Sequence, residues 1–228
     1  MTYVRLALQW LNDPVNWTGR NGVIALTVEH LAMSVVAVLV ASAVALPIGI
    51  WLGHRGSAAR AGTPTVVLTT VSRALPTFAL LTIFASAGLG FGDRPTVLAA
   101  AVFALPVVLA TTYTGVLGVD ADVRDAARGM GMSEARLLTQ VELPLAGPMI
   151  TAGLRTAMVQ VVATVPLAAL VGGGGLGRIV VDGFGTQRYG QVVAGGVLVA
   201  VLCLLVEGAL AVGEHVLTPR AVRALRST

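Results

Sequence analysis

The sequence predicts an all-α integral membrane protein with five transmembrane helices. Only 11% of its 228 residues are charged and 56% are apolar, whereas soluble domains carry about 25% charged residues. The mean hydropathy is +0.85. The apolar residues are gathered into uncharged runs near the ~20 residues a helix needs to cross a bilayer. Most of the charges fall between those runs, above all in residues 120–148. No linker or compositional break divides residues 1–228, and no repeat of about 20–50 residues is visible, so the whole chain reads as one transmembrane domain.

The first 29 residues contain Leu6, Leu8, Trp10 and Leu11, followed by the breaker run Asn12-Asp13-Pro14. Residues 3–11 form either a short interfacial helix, with Trp10 and Trp17 at headgroup level, or a loose terminus. This stretch is too polar for a cleavable signal peptide. The first span is 31–53, bent near Pro47 and Gly49, with a basic loop at 54–60. The second is 74–92, with Arg73 at its edge. Pro76 frees a backbone carbonyl there, which matters where a helix lines a cavity. The third span is 95–119, the fourth 148–170 and the fifth 192–216. Residues 172–191 form a Gly-rich connector.

The fifteen basic residues are all Arg, and they are scattered. That argues against nucleic acid and for topology signals. With five spans, one side holds Arg55, Arg60, Arg124, Arg128, Arg136, Arg220, Arg223 and Arg226. The other holds Arg5, Arg20, Arg94, Arg178 and Arg188. The richer side is cytoplasmic, which places the N-terminus outside and the 120–147 loop in the cytosol. The lone Cys203 excludes a disulfide framework within the chain. His30, His54 and His215 are too far apart in sequence to suggest a metal site.

The loop reads as two short helices. Val123, Ala126 and Ala127 share a face of the first. Gly129 and Gly131 break it, because glycine is poor in helix interiors. Ser133 caps a second helix with Leu137, Leu138 and Val141 as its apolar stripe. Pro144 ends that helix. The product is either a projecting elbow that docks on a partner, with Arg128, Arg136 and Glu142 as polar contacts, or a solvated amphipathic loop.

Here a resemblance becomes specific. Asp125-Ala126-Ala127, three residues, Gly131, nine residues, Val141, one residue and Leu143-Pro144 resemble the EAA loop of binding-protein-dependent ABC importer permeases. Asp125 stands for Glu and Val141 for Ile. The resemblance implies a five-transmembrane-helix type I ABC importer permease core with a cytoplasmic coupling helix. Asp125, Ala126, Ala127, Gly129, Gly131, Val141, Leu143 and Pro144 then couple to the ATPase. Further stretches resemble osmoprotectant permeases: Glu29-His30-Leu31, Leu75-Pro76-Thr77-Phe78-Ala79-Leu80-Leu81, the run from Tyr113 to Asp120, Leu154-Arg155-Thr156-Ala157, and Val171 to Gly177. They imply an importer of glycine betaine, carnitine, choline or proline betaine. Methionine or another small solute is the alternative cargo. A secondary transporter or channel, or a membrane scaffold, is the alternative class.

The implied partners are a cytoplasmic ABC ATPase dimer, a second permease copy or paralogue, an extracytoplasmic substrate-binding protein and the lipid bilayer. The sequence has no Walker A pattern and no Lys. It is therefore expected not to be an enzyme and to need no cofactor, with ATP bound by the partner subunit. Ionisable residues inside spans mark function by default. Arg155 and Glu207 either pair across the bundle, snorkel or line the path. Phe78 and Tyr113 are path residues or packing aromatics. Gly174 and Gly175 belong to an outer gate, a binding-protein contact or a flexible turn.

Overall fold

A computed structural model describes residues 2–56 and 76–217. The expected 54–60 loop beyond Gly56, Arg73, and the tail from residue 218 lie outside the described residues. All regular structure among the described residues is helical. Four helical runs are long and apolar enough to cross a membrane: Val23–Arg55, Asp93–Leu117, Glu134–Val171 and Tyr189–Glu214. The second expected span, 74–92, appears as the shorter apolar helix Thr77–Leu89.

The elements run in order. Helix α1 (Thr2–Leu11) leads through a 3-10 turn at Pro14–Asn16 into α2 (Val23–Arg55). Helix α3 (Thr77–Phe84) opens on Pro76 and widens into a π turn at Ala85–Leu89. Helix α4 is Asp93–Leu117, and α5 is Ala121–Gly129. The short α6 (Glu134–Leu137) passes through a π turn (Leu138–Glu142) into α7 (Leu143–Thr164). A 3-10 segment (Val165–Val171) follows, then α8 (Gly177–Gly185) and α9 (Tyr189–Leu217).

Several expectations change. Helix α2 starts eight residues before the predicted span, so Glu29 and His30 lie inside it. A count of uncharged residues stops at Glu29, but its carboxylate has a backbone partner elsewhere and the helix runs past it. The connector 172–191 contains a helix of its own, α8. Pro144 does not end a helix. The Leu143 N–H reaches back five residues to the Leu138 carbonyl. The wider turn accommodates a proline whose ring would clash in a regular one.

The chain falls into two compact units. The first comprises Met1–Leu39, Leu75–Ala104 and Met158–Glu207. One of its apolar clusters joins Val23, Leu26, Val162, Leu176, Ile179 and Leu202, with Trp10 against it. Another joins Leu81, Ala99 and Val171. Helix α1 is ordered on this unit. Asn16 Nδ2 and Trp17 Nε1 donate to the Trp10 and Leu11 carbonyls, each at 2.7 Å. A Cβ on Gly190 would sit 2.5 Å from Leu6 Cβ, so the two backbones approach closely.

The second unit comprises Val40–Ala74, Leu105–Ala157 and Gly208–Thr228. Its helices pack through glycine. Cβ atoms on Gly49 and Gly53 would sit 2.8 Å from Thr112 Cβ and 2.7 Å from Val116 Cβ. The four-residue spacing on both helices lets α2 and α4 touch along one seam, as small residues do between membrane helices. Gly115 faces Met149, and a Cβ on Gly153 would overlap Thr111, which brings α7 against α4.

Candidate coupling site

The elbow of the second unit is built by its local chemistry. Asp120 caps α5 by accepting the Asp122 N–H at 2.8 Å. At the other end the Met132 N–H reaches the Ala127 carbonyl and the Gly131 N–H the Arg128 carbonyl. That pair of bonds is a Schellman cap, which requires a left-handed residue at the position Gly131 fills, with φ of 82°. The motif spacing from Ala127 to Gly131 is the reach of this cap. Gly129 is simply the last helical residue. Only Gly131 makes the turn, which corrects the reading of two breakers. Ser133 sits at the N-cap position of α6 without a side-chain capping bond.

Arg128 holds the two arms of the elbow together. Its Nε is 3.0 Å from Glu134 Oε1, and its Nη1 is 3.3 Å from Asp125 Oδ1. The hydrogen bond to Glu134 raises the Arg128 guanidinium above its usual range. The same bond lowers the Glu134 carboxyl. The Asp125 side chain is 75% exposed. Around it Val123, Ala126 and Met130 form an outward apolar strip, with Met130 at 73% exposure. Met130 was missed by the sequence reading, although its spacing from Val123 and Ala126 puts it on their face. Ala127 is buried. Val141 and Leu143 are half-buried and Pro144 is exposed.

Glu142, expected to face a partner or solvent, is instead fully buried within the chain. His54 Nδ1 lies 2.6 Å from its Oε2, and Arg124 Nε lies 3.1 Å from its Oε1. Arg124 Nη2 also donates to the Val116 carbonyl at the end of α4. His54 Nε2 is 3.4 Å from Glu134. A carboxylate with no access to water must be paired, and this one is paired by α2 and α5 together. Helical spacing from Leu138 places Glu142 on the apolar stripe, which was the available signal. Its partner His54 is 88 residues away and had none.

Elsewhere in this unit Arg155 Nη1 donates to Glu214 Oε2 at 2.8 Å, so Glu214 joins the residues expected around Arg155. Tyr113 is 5% exposed. In the first unit Pro76 and Phe78 are exposed, and Glu207 lies half-buried at that unit's boundary.

The glycine-rich loop belongs to the first unit and is mostly buried. Three successive amides are each taken by a different side chain. Gly174 N–H donates to Asp93 at 2.9 Å, Gly175 N–H to Glu29 at 3.1 Å and Leu176 N–H to His30 Nδ1 at 3.4 Å. His30 Nε2 is 2.9 Å from the Val162 carbonyl. A neutral ring protonated on Nε2 satisfies both of its contacts. Gly172 and Gly175 have φ of 73° and 78°, where a side chain would be strained. A Cβ on Gly174 would overlap the Glu29 carboxylate, and one on Gly177 the Pro166 carbonyl.

The model of the binding-protein-dependent transport system inner membrane component family matches residues 45–214. The chain belongs to that family. The permease is 33% identical, over 88% of its length and 90% of the other's, to the choline transport system permease protein OpuBB of Bacillus subtilis (strain 168). It is 36% identical to the carnitine transport permease protein OpuCB of Listeria monocytogenes, over 88% and 90%. It is 30% identical to the osmoprotectant import permease protein OsmW of Salmonella typhimurium, over 87% and 93%. Among solved structures, an inward-facing MetNI methionine ABC transporter shares the fold at TM-score 0.69 and 22% identity, covering 89% of the permease and 95% of that chain. The permease is thus the membrane subunit of an ABC importer, working with ATPase and substrate-binding partners. ATP hydrolysis belongs to the partner subunit.

Proposed function

We propose that the permease carries a small quaternary amine of the choline, carnitine and glycine betaine class. The supporting observation is the 33% and 36% identity to a choline and a carnitine permease across nearly the whole chain. A methionine cargo has weaker support, because the MetNI likeness at 22% identity speaks for the fold alone. The partners are a cytoplasmic ATPase dimer, a second copy or paralogue of the permease, and an extracytoplasmic binding protein. The permease itself holds no cofactor. Its N-terminus is outside, and the elbow lies in the cytosol.

In this reading the strip of Val123, Ala126 and Met130 seats in the ATPase, beside Asp125 and Gly129. The Schellman turn at Gly131 keeps the elbow rigid. Because α6 runs without a break through Val141, Leu143 and Pro144 into α7, a push on the elbow moves the fourth span directly. The loop at Gly174 and Gly175 is the outer gate. Pro76, Phe78, Arg155 and Glu207 border the path. A quaternary ammonium is held best by aromatic faces, and aromatics are 5% of this chain, so selection at high affinity belongs to the binding protein.

Two measurements test this. The partner binding protein should bind choline, carnitine or glycine betaine tightly. Tight methionine binding without quaternary-amine binding would overturn the cargo. The reconstituted complex should take up that ligand only with ATP. Uptake driven by an ion gradient without ATP would overturn the importer reading.

A further inference from the structure

The elbow reaches the fourth span by covalent continuity, since helix runs from Glu134 to Val171. Its link to the first span is of another kind. His54 is in the last turn of α2, and its two ring nitrogens face Glu142 at 2.6 Å and Glu134 at 3.4 Å. Arg124, in α5, approaches the same Glu142 from the other oxygen and also takes the terminal carbonyl of Val116 in α4. One buried carboxylate therefore joins the elbow to the ends of two spans, α2 and α4. Those ends are themselves locked together where Gly53 meets Val116.

We infer that Glu142 is a positioning residue that ties the elbow to the first span through His54, so that α2 and α7 move together when the ATPase displaces the elbow. The inference rests on the coupling reading proposed above. Two observations and one physical argument carry it. Glu142 is fully buried, and replacing a whole buried ion pair by apolar side chains is often neutral or stabilising, so stability alone does not account for the pair. A buried charge pair is directional where apolar packing is not. It also fixes one register between helices that are far apart along the chain. Finally, the groups facing Glu142 come from different elements: His54 from α2 and Arg124 from α5, with Arg128 gripping Glu134 on the outer side of the same cluster. Glu142 itself is fully buried, so it touches no docking partner directly.

The test uses the full transporter, with its ATPase and binding protein, in liposomes. Uptake and ATP hydrolysis are measured on the same preparation. Glu142→Gln keeps the volume of the side chain and removes its charge. Uptake per ATP hydrolysed should fall about tenfold, within the usual range of site-to-site coupling. Glu142→Gln combined with His54→Gln restores a hydrogen-bonded tie between two neutral amides, and should recover part of the ratio. A merely structural role would make the double variant worse than the single. A second measurement does not depend on the variants' activity. Spin labels at Arg55→Cys and Thr139→Cys, in a Cys203→Ser background, report the distance between α2 and the elbow. In the otherwise native chain that distance should be the same with and without trapped ATP, and should change in Glu142→Gln. If Glu142→Gln keeps the native ratio, or the native distance changes with ATP, the tie is wrong while coupling stands. If the native permease does not retain the ATPase at all, the coupling reading falls and the tie with it.

Discussion

The glycine-rich loop makes a prediction whose size follows from geometry. A methyl group at Gly174 would overlap the Glu29 carboxylate, the far end of a flexible side chain. Gly174→Ala is therefore relieved when Glu29 swings away. The loss is the bond from the Gly175 N–H, 3.1 Å long and charge-assisted. Such bonds contribute about 1.5–3 kcal/mol. For a domain of this size about 2 kcal/mol lowers the thermal midpoint by roughly 4–8 °C. Glu29→Ala removes the same bond and vacates the same space, so it should cost a similar amount. The two changes together should cost little more than either alone, a non-additivity of about 1.5–3 kcal/mol. The assay is thermal unfolding of the purified transporter in detergent, for both single variants and the double. Additive shifts would show that Gly174 and Glu29 do not share the contact, and the account of the loop would be wrong. Gly177→Ala is the contrast. Its methyl would overlap the Pro166 backbone carbonyl, which cannot rotate aside, so removing Glu29 should give no relief.

Other predictions follow from the second unit. Gly131→Ala places a side chain at φ of 82°, a strain of about 1–2 kcal/mol, and should weaken retention of the ATPase in co-purification. Gly129→Ala meets open space within the permease and has no positive φ to strain, so it should leave the thermal midpoint of the permease unchanged. Charge reversal at Arg155 or Glu214 should lower ATP-dependent uptake, and the exchange Arg155→Glu with Glu214→Arg should restore part of it. A double exchange no better than the single ones would show that the 2.8 Å pair is not what matters. Arg128→Ala removes exposed pairs that contribute little to stability, so the thermal midpoint at neutral pH should barely change. The Glu134 carboxyl is lowered by its bond from Arg128. That contribution is therefore full above the ordinary glutamate range and is lost as pH falls through the lowered value. Any difference from the native chain should vanish on acidification.

How much of this was legible in the sequence depends on the range of the interaction. The elbow was legible because its determinants are local. The cap bonds join residues no more than five apart, so spacing in the chain reflects spacing in space. The spans were legible from uncharged runs, but their ends were misjudged wherever a charge has a distant partner. Glu29 lies within α2 because the Gly175 N–H meets it from 146 residues away. Pro144 lies within the helical run because a π turn widens it, and no residue pattern announced that turn. Glu142 was read as outward-facing because a carboxylate in a charged loop belongs in water unless something pairs with it.

The sequence by itself determined a multi-pass helical protein, the elbow with its glycine turn, and the permease family. These depend on hydropathy, on local backbone chemistry and on a spaced motif, all of which can be read along the chain. Only the tertiary structure decided which charges are internal. His54, Arg124 and Glu142 meet in one buried cluster, and Glu29, His30 and Asp93 take the amides of the glycine loop. The reason is electrostatic. Whether a charge can leave water depends on its partner, and these partners come from segments that only folding brings together.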